Sequence, residues 1–553
     1  MPQRGRKALL VGLALALVTA ACGGGTTRAG GKGGRIVVAA EQWPKCLNPV
    51  TSCQNSSWLH WTVLGHVLPR AMEVDAEGNF VASPVLEQAP TRDNGGLKDN
   101  PFTVTFKIRR DAVWDDGSPI TSADFDYTWQ AYLKTTGTLS TAGWDKIDSI
   151  DSSDPKTAVV RFKEPYADWW DLWGGNQQYI LKKSAFGGKV DLKDEMATSI
   201  PFSASSWKLQ SWSPQQSVLV PNPRYWAKDR RPHLDQVTMV PREDQNTELN
   251  NVITGEAAAA YPQLSPGITK RLQAKGVSSS IGFGVTYEGL WLNLSKPPLD
   301  EKPVREALAH AVDRQAIVDT LIKPDAPGAK VLNCAGWVPN VGRWCDDTQF
   351  ADLNYDPAKA KQILEADGWK LGADGVYAKN GRRLSLPFST TAGNKGREDT
   401  QALIKQKAKA AGFDFVIQNY VGTELFQNRL PKLDYTVAEY AQTASPDPSV
   451  NTLYPCDQIP SKANGNSGQN FTAWCNHDAD TLIRQADQTI DVDKRVDLTH
   501  RIGALVRQDV VWLPLYQKPL YTVWRSDRLS GPIGKYTSSS YSGLTNLYDW
   551  TLK

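Results

Sequence analysis

Three cations, Arg4, Arg6 and Lys7, precede an apolar run from Ala8 to Val18, which closes on Thr19, Ala20 and Ala21 before Cys22. This segment constrains the fold more than any other feature, because it decides the compartment in which the chain folds. A basic start, a short apolar stretch and small residues at the cut make an export signal. The run is too short for a bilayer span of ~20 residues, and the glycines between Gly23 and Gly34 prevent it from continuing as a helix. Residues 1–21 are therefore read as a signal peptide and 22–34 as a Gly-rich linker. No later apolar stretch is long enough to span a membrane.

An exported chain meets an oxidising environment, and its seven cysteines divide accordingly. Cys22 stands at the cut. The others fall into neighbouring pairs, Cys46 with Cys53, Cys334 with Cys345, and Cys456 with Cys475, each closing a short loop worth roughly 2–3 kcal/mol of chain entropy as a disulfide. Six cysteines allow many pairings, so the sequence leaves connectivity open. A zinc site built on Cys456, Cys475 and His477 lacks a fourth ligand and C-x-x-C spacing, so no metal and no cofactor is expected. Arg4, Arg6 and Lys7 also account for the whole difference between 62 basic and 59 acidic side chains. The remainder is electrically neutral and has no long Lys/Arg run, which argues against nucleic acid as a partner.

The length predicts about three domains at ~150 residues each. Arg35 to Ala40 reads as a buried first strand. Alternation of Phe102, Val104, Phe106 and Ile108 gives a half-buried strand, with a turn at Trp114-Asp115-Asp116-Gly117 and a helix from Ser122. Short strands are predicted at 157–162 and 217–220. The strongest helical period runs from Pro303 to Leu321, through Val304, Ala307, Leu308, Ala311, Val312 and Leu321. Asp356-Pro357 starts another helix that stops at Gly368, with Ile363 and Leu364 inward. Further helices are predicted at 479–490 and 495–510. Strands and helices mixed throughout imply an α/β architecture.

In this order, several segments resemble the family 5 substrate-binding proteins of ABC transporters, the peptide- and nickel-binding lipoprotein group. They are Leu47-Asn48-Pro49, Gly78-Asn79-Phe80, Trp114 to Phe125, Asn222-Pro223-Arg224-Tyr225-Trp226, Asn293, Val304-Arg305-Glu306-Ala307-Leu308, Ala311-Val312-Asp313-Arg314 and Tyr355-Asp356-Pro357. The small residues before Cys22 likewise resemble a lipobox, with Thr19 where Leu is usual; lipidation of Cys22 is implied. The resemblance implies a class II periplasmic-binding-protein-like fold with two lobes joined by a hinge and three domains. Domain I would be discontinuous, gathering 35–75, 200–294 and 515–553; domain II would span 76–199 and domain III 295–514. It further implies an exported monomer, lipid-anchored on the extracytoplasmic face of the cell membrane. Its partners would be an oligopeptide or related small solute, and a membrane permease with its ATPase subunits.

In peptide-binding members, an aspartate just before a Pro-Asp-Pro-like element pairs with the peptide amino group. Here the stretch runs from Glu439 to Pro448, and the aspartate position falls on Ala444 or Thr443, neither of which holds an ammonium ion. Glu439 is a substitute from a neighbouring turn, or a solvated loop acid. Tyr440, Gln442 and Thr443 are candidate ligand contacts from the same stretch. Tyr287, Glu288 and Trp291 are candidates on the strand that the resemblance places between domains I and III. Trp144 is a further candidate, near the bunched Trp169, Trp170 and Trp173. The chain has no G-x-S-x-G, H-E-x-x-H, G-x-x-x-x-G-K-[ST] or complete G-x-G-x-x-G motif, so no catalytic residues are assigned and no enzyme is expected. A second reading is a glycan- or glycolipid-related envelope protein that uses the same fold without a transport role.

Overall fold

A computed structural model describes residues 33–553, apart from 176, 337–338 and 539–540 and from the side chains of 339–341. The expected signal peptide and Cys22, the expected lipidation site, lie outside the described residues. Arg35–Ala40 forms the expected first strand, with Val38, Ala39 and Ala40 fully buried. An apolar run covered on both faces is what a central parallel strand requires, and this strand pairs in parallel with Gln236–Pro241 and Ala259–Ala260.

These strands belong to a ten-stranded mixed sheet. Its order is Asp414–Ile417, Ser385–Ser389, Val437–Thr443, Val277–Leu292, Trp512–Arg525, Ala259–Ala260, Arg35–Ala40, Gln236–Pro241, Gln216–Pro221 and Trp207–Ser213. The two longest, Val277–Leu292 and Trp512–Arg525, pair antiparallel along their lengths. They join the strands on either side into one sheet. A separate four-stranded sheet holds Leu97–Asp99, Phe102–Lys107, Thr157–Phe162 and Ile147–Asp151 in that order.

Two hydrophobic cores pack on this scaffold. One gathers Trp58, Val63, Phe106, Phe125, Trp144, Trp173, Leu219 and Trp550. The other gathers Leu290, Trp291, Val304, Leu308, Phe388, Phe415, Ile502 and Trp512. The helix Ser122–Lys134 joins the first core and begins where the Thr121 amide donates to Asp124 at 2.9 Å. In the second core, Asp356 accepts from the Lys359 amide to start Pro357–Ala366, and Gly368 stops it at φ +85°. Leu364 is buried there, whereas Ile363 is only partly so. The helices predicted near 479–490 and 495–510 are His477–Gln488 and Val492–Asp509. Among the described residues, no helix is long and apolar enough to cross a membrane.

The helix expected from Pro303 to Leu321 is two. Lys302–Ala311 ends at Val312, whose backbone is extended, and Asp313 starts the next turn by accepting from the Ala316 amide. Apolar periodicity runs through the break, so hydrophobicity alone conceals it. The break serves Arg314, which is buried and donates to the carbonyls of Leu332, Pro514, Phe350 and Leu353 at 2.7–3.2 Å. Burial lowers its pKa to about 10, against the pull of Asp352, and the four carbonyls take up its Nη donors. Arg314→Met should orphan these buried acceptors and destabilise the protein by about 2–4 kcal/mol. A chemical-denaturation midpoint equal to wild type would contradict that role.

Candidate functional site

A cavity of about 260 Å³ lies between the two cores. One wall carries Gln54 to Trp58, Trp61, Tyr132, Asp168 and Asp171; the other carries Tyr287, Arg397, Phe426 and Tyr440 to Ser445, with Asn451 and Phe471. Tyr261, Gln263, Lys518 and Leu520 complete it. Hydrogen bonds link segments of the two walls. Asn55 donates to the Phe426 carbonyl at 2.5 Å, and the Gly468 amide to Leu139 at 2.7 Å. The Ala167 amide donates to Asp487 at 2.6 Å, and Asn451 to the Tyr166 hydroxyl at 3.1 Å.

Of the ligand contacts expected from sequence, Tyr287, Tyr440, Gln442 and Thr443 line this cavity. Thr443 lies 3.2 Å from the Thr286 hydroxyl across the paired strands. Glu288, Trp291, Glu439 and Trp144 are absent from the lining. Thr286 and Ala441, next to Tyr287 and Tyr440, also line the cavity, whereas Glu288 and Glu439 on their other sides are buried in the layer beneath it. Trp291 is stacked between Trp512 at 4.7 Å and Tyr440 at 5.1 Å. Trp144 backs Tyr132, ring to ring at 4.4 Å. Glu439 is neither a solvated loop acid nor part of a turn: it lies within Val437–Thr443 and is fully buried.

The charged layer beneath the wall is built around Glu288. Arg397 donates two hydrogen bonds to it at 2.8 and 3.2 Å, and Lys518 lies 3.4 Å away. Lys518 also donates to Gln263, whose amide donates to Glu41 at 2.6 Å. Burial raises the Glu288 carboxyl, but Arg397 and Lys518 outweigh it and hold the group below its ordinary value. Glu439, buried beside Glu288, is instead pushed well up by burial and by that neighbouring charge.

Several lining residues escaped sequence reading. The bunched tryptophans drew attention to 169–173, yet Trp170 and Trp173 are core, and it is the flanking Asp168 and Asp171 that reach the cavity. Trp61 stands edge-on to Trp58 at 5.4 Å and to Tyr261 at 5.3 Å, an aromatic corner signalled only by the i, i+3 spacing of two tryptophans. Arg397 and Lys518 carried no local motif at all.

All three disulfides border the cavity walls. Cys46–Cys53 precedes the lining segment that starts at Gln54, Cys334–Cys345 encloses Gly336, and Cys456–Cys475 closes the loop containing Gln469 and Phe471. Cys456 and Cys475 lie beside His477, but their sulfurs are bonded to each other, which removes two thiolate ligands from that grouping.

A cavity between two cores, with walls linked by hydrogen bonds and lined by amides, hydroxyls and aromatic rings, has the form of a site for a solute held between them. Residues 94–462 match the family model of the bacterial extracellular solute-binding proteins, family 5 (middle region), and the chain belongs to that family. Protein XP55 of Streptomyces lividans is 25% identical over 360 residues, covering 65% of this chain and 63% of that protein. The oligopeptide-binding protein AppA of Bacillus subtilis is 24% identical over 525 residues, covering 92% of each. A solved structure of AppA in complex with a nonapeptide superposes with a TM-score of 0.83 at 21% identity, covering 95% of this chain and 99% of that one. The fold is thus the two-lobed α/β fold of periplasmic binding proteins. The chain is the solute-binding component of an ABC importer, and its relatives are binding proteins rather than enzymes.

Where the walls meet, Asp487 accepts from Ser449 at 3.4 Å, and Asp168, Asp447 and Arg495 line the same small recess. Burial pushes the Asp487 carboxyl up to about 7, against the pull of Asn451, Lys146 and Ser449. A carboxyl with a raised folded pKa keeps a proton that the unfolded chain releases. Its contribution to stability is present below pH ~4 and is lost as pH rises to about 7. Asp487→Asn should therefore lose less stability than wild type over that window. Parallel thermal-unfolding profiles for the two proteins would contradict the assignment.

Proposed function

We propose that this protein is an extracytoplasmic receptor, anchored by lipid at Cys22, that captures an oligopeptide between its lobes and delivers it to a membrane permease driven by ATPase subunits. The observation that carries this reading is the cavity itself, with walls linked by hydrogen bonds and lined by amides, hydroxyls and aromatic rings. Such a lining suits peptide main chain, whose amides and carbonyls need partners when buried. AppA, with the same fold, is an oligopeptide-binding protein solved with a nonapeptide. Closure around a ligand requires contacts from both lobes, and both supply them here. The domain division at 35–75, 200–294 and 515–553, at 76–199 and at 295–514 belongs to this proposal, with the hinge where the chain crosses between lobes.

A second reading, a glycan- or glycolipid-related envelope protein without a transport role, draws on the same cavity. Ala444 and Thr443 stand where a carboxylate would hold a peptide amino group, and the Trp58, Trp61 and Tyr261 corner offers flat rings suited to sugars. Tryptophan fluorescence and calorimetry against peptide and oligosaccharide libraries separate the two. Peptide binding is expected, weakened roughly tenfold by Trp61→Ala. Binding of glycans alone would move the substrate class to sugars. For the anchor, mass spectrometry of the cell-envelope protein should find a diacylglyceryl thioether at Cys22, and Cys22→Ser should be released from membranes. An unmodified thiol in the wild type would remove lipid anchoring from the proposal.

A further inference from the structure

The polar layer behind the cavity contains four buried acids, Glu41, Glu248, Glu288 and Glu439, and two buried cations, Arg397 and Lys518. Both cations line the cavity, with 3% and 5% of their surface exposed, whereas none of the four acids does. The charges are unequal in kind as well as in position. Glu288 takes two hydrogen bonds from Arg397 and a contact from Lys518, the surroundings of an ionised carboxylate. Glu248 has no hydrogen-bond partner for either oxygen. Glu41 has partners for one oxygen only, from Gln263 at 2.6 Å and Asn394 at 3.2 Å, both neutral amides. Burial raises Glu41, Glu248 and Glu439 alike, and Glu248 and Glu439 each face a second acid, Glu41 and Glu288 respectively. Among the described residues none of these three acids forms an ion pair, and Glu288 is the carboxylate that Arg397 and Lys518 share.

Backbone geometry presents the surplus charge to the cavity. In the long antiparallel pair, Phe283 faces Pro519 and Tyr287 faces Gln517, so Lys518 alone stands against Gly284, Val285 and Thr286. Lys518 is thereby freed from the ladder at the point where the wall opens. Its Nζ reaches Gln263 and Glu288, and Glu288 is already engaged twice by Arg397. A buried cation without its own counter-ion is costly, and the Lys518 amine responds with a pKa lowered to about 8, mainly through burial and the nearby Arg397.

We infer that the cavity takes a ligand bearing an anionic group, a carboxylate, and seats that group against Lys518. The inference rests on the cavity as the ligand site and not on the ligand being a peptide. An ion pair formed there gives Lys518, which shares Glu288 with Arg397, a carboxylate of its own, and it gives the site a preference that its neutral amides and hydroxyls do not supply.

Matched probes test this on the full folded protein. Calorimetry would compare the C-terminal amides of Ala-Glu-Ala and Ala-Gln-Ala, which differ by one carboxylate against none, and cellobiuronic acid with cellobiose, on wild type, Lys518→Met and Lys518→Arg. The expected result is at least a tenfold preference for the acidic member of one pair, lost in Lys518→Met and kept in Lys518→Arg. Thermal unfolding checks that both variants fold; should Lys518→Met fail to, Lys518→Gln takes its place. Above pH ~8, binding of the acidic member should also take up a proton, because a bound carboxylate raises the Lys518 pKa; titrations in buffers of different ionisation enthalpy read this directly. A preference shown only by the sugar pair would sink the peptide reading and leave the anionic subsite standing. No preference within either pair, or a preference that survives in Lys518→Met, would overturn the inference.

Discussion

The strand pair Val277–Leu292 with Trp512–Arg525 is the constraint on which the rest of the molecule depends. Its strands carry residues of both cores, Leu513 and Leu290 in one and Leu520 in the other, and its middle is irregular by composition. Pro514 and Pro519 have no amide hydrogen to donate, so regular pairing fails at both, and register shifts fall beside them, between Phe283 and Tyr287 and between Glu288 and Gly289. Gly289 allows the chains to approach there, since a Cβ at that position would lie 2.4 Å from the Trp512 ring. The ladder resumes on either side. A connection that is rigid at both ends and irregular in the middle is where hinge motion meets least resistance.

Buried charge lies at the same irregularity. Glu288 sits between the two shifts, with Arg397 from the helix Lys395–Ala408 on one side and Lys518 on the other. Exchanging such a group for apolar side chains would often cost nothing in stability. Its value here is positional: Gln263, Asn394 and Glu41 come from three separate segments and hydrogen-bond to one another, and Lys518, which donates to Gln263 and contacts Glu288, ties them to this group. The crossing strands, the first strand of the sheet and the wall of the cavity are thereby held in one arrangement.

Much of the fold was legible because its elements are stated locally. Arg35–Ala40 is apolar throughout, Asp356-Pro357 marks a helix start, and the alternation of Phe102 to Ile108 matches the strand Phe102–Lys107. The helix predicted across Pro303 to Leu321 went astray because apolar period reports burial and is silent about the hydrogen bonds that demand a break at Val312 and Asp313. The site was legible only along strands. Tyr287, Tyr440, Gln442 and Thr443 were found, but their neighbours Glu288, Trp291 and Glu439 were chosen with them, since sequence proximity does not reveal which face of a strand meets a cavity. Asp168, Arg397 and Lys518 come from distant segments, and only the tertiary fold sets them around one space.

The loss of a carboxylate at Thr443 or Ala444 and the surplus cation at Lys518 bear on the same question. A cavity that offered a carboxylate from the strand end would attract ammonium there and repel acid. Here that end presents Gln442 and Thr443, neutral groups that bind either partner of a hydrogen bond, while acids at Asp168 and Asp171 belong to the other wall. Burial and the neighbouring Asp171, Asp447 and Asp487 push the Asp168 carboxyl well up, which weakens it as a counter-charge to the wall opposite. A ligand that bridges the two walls strengthens closure in proportion to how much better it suits the closed form than the open one. Selectivity in such a site therefore follows from where charge stands on the two walls, and the geometry of the strand pair decides how far apart those walls can be drawn.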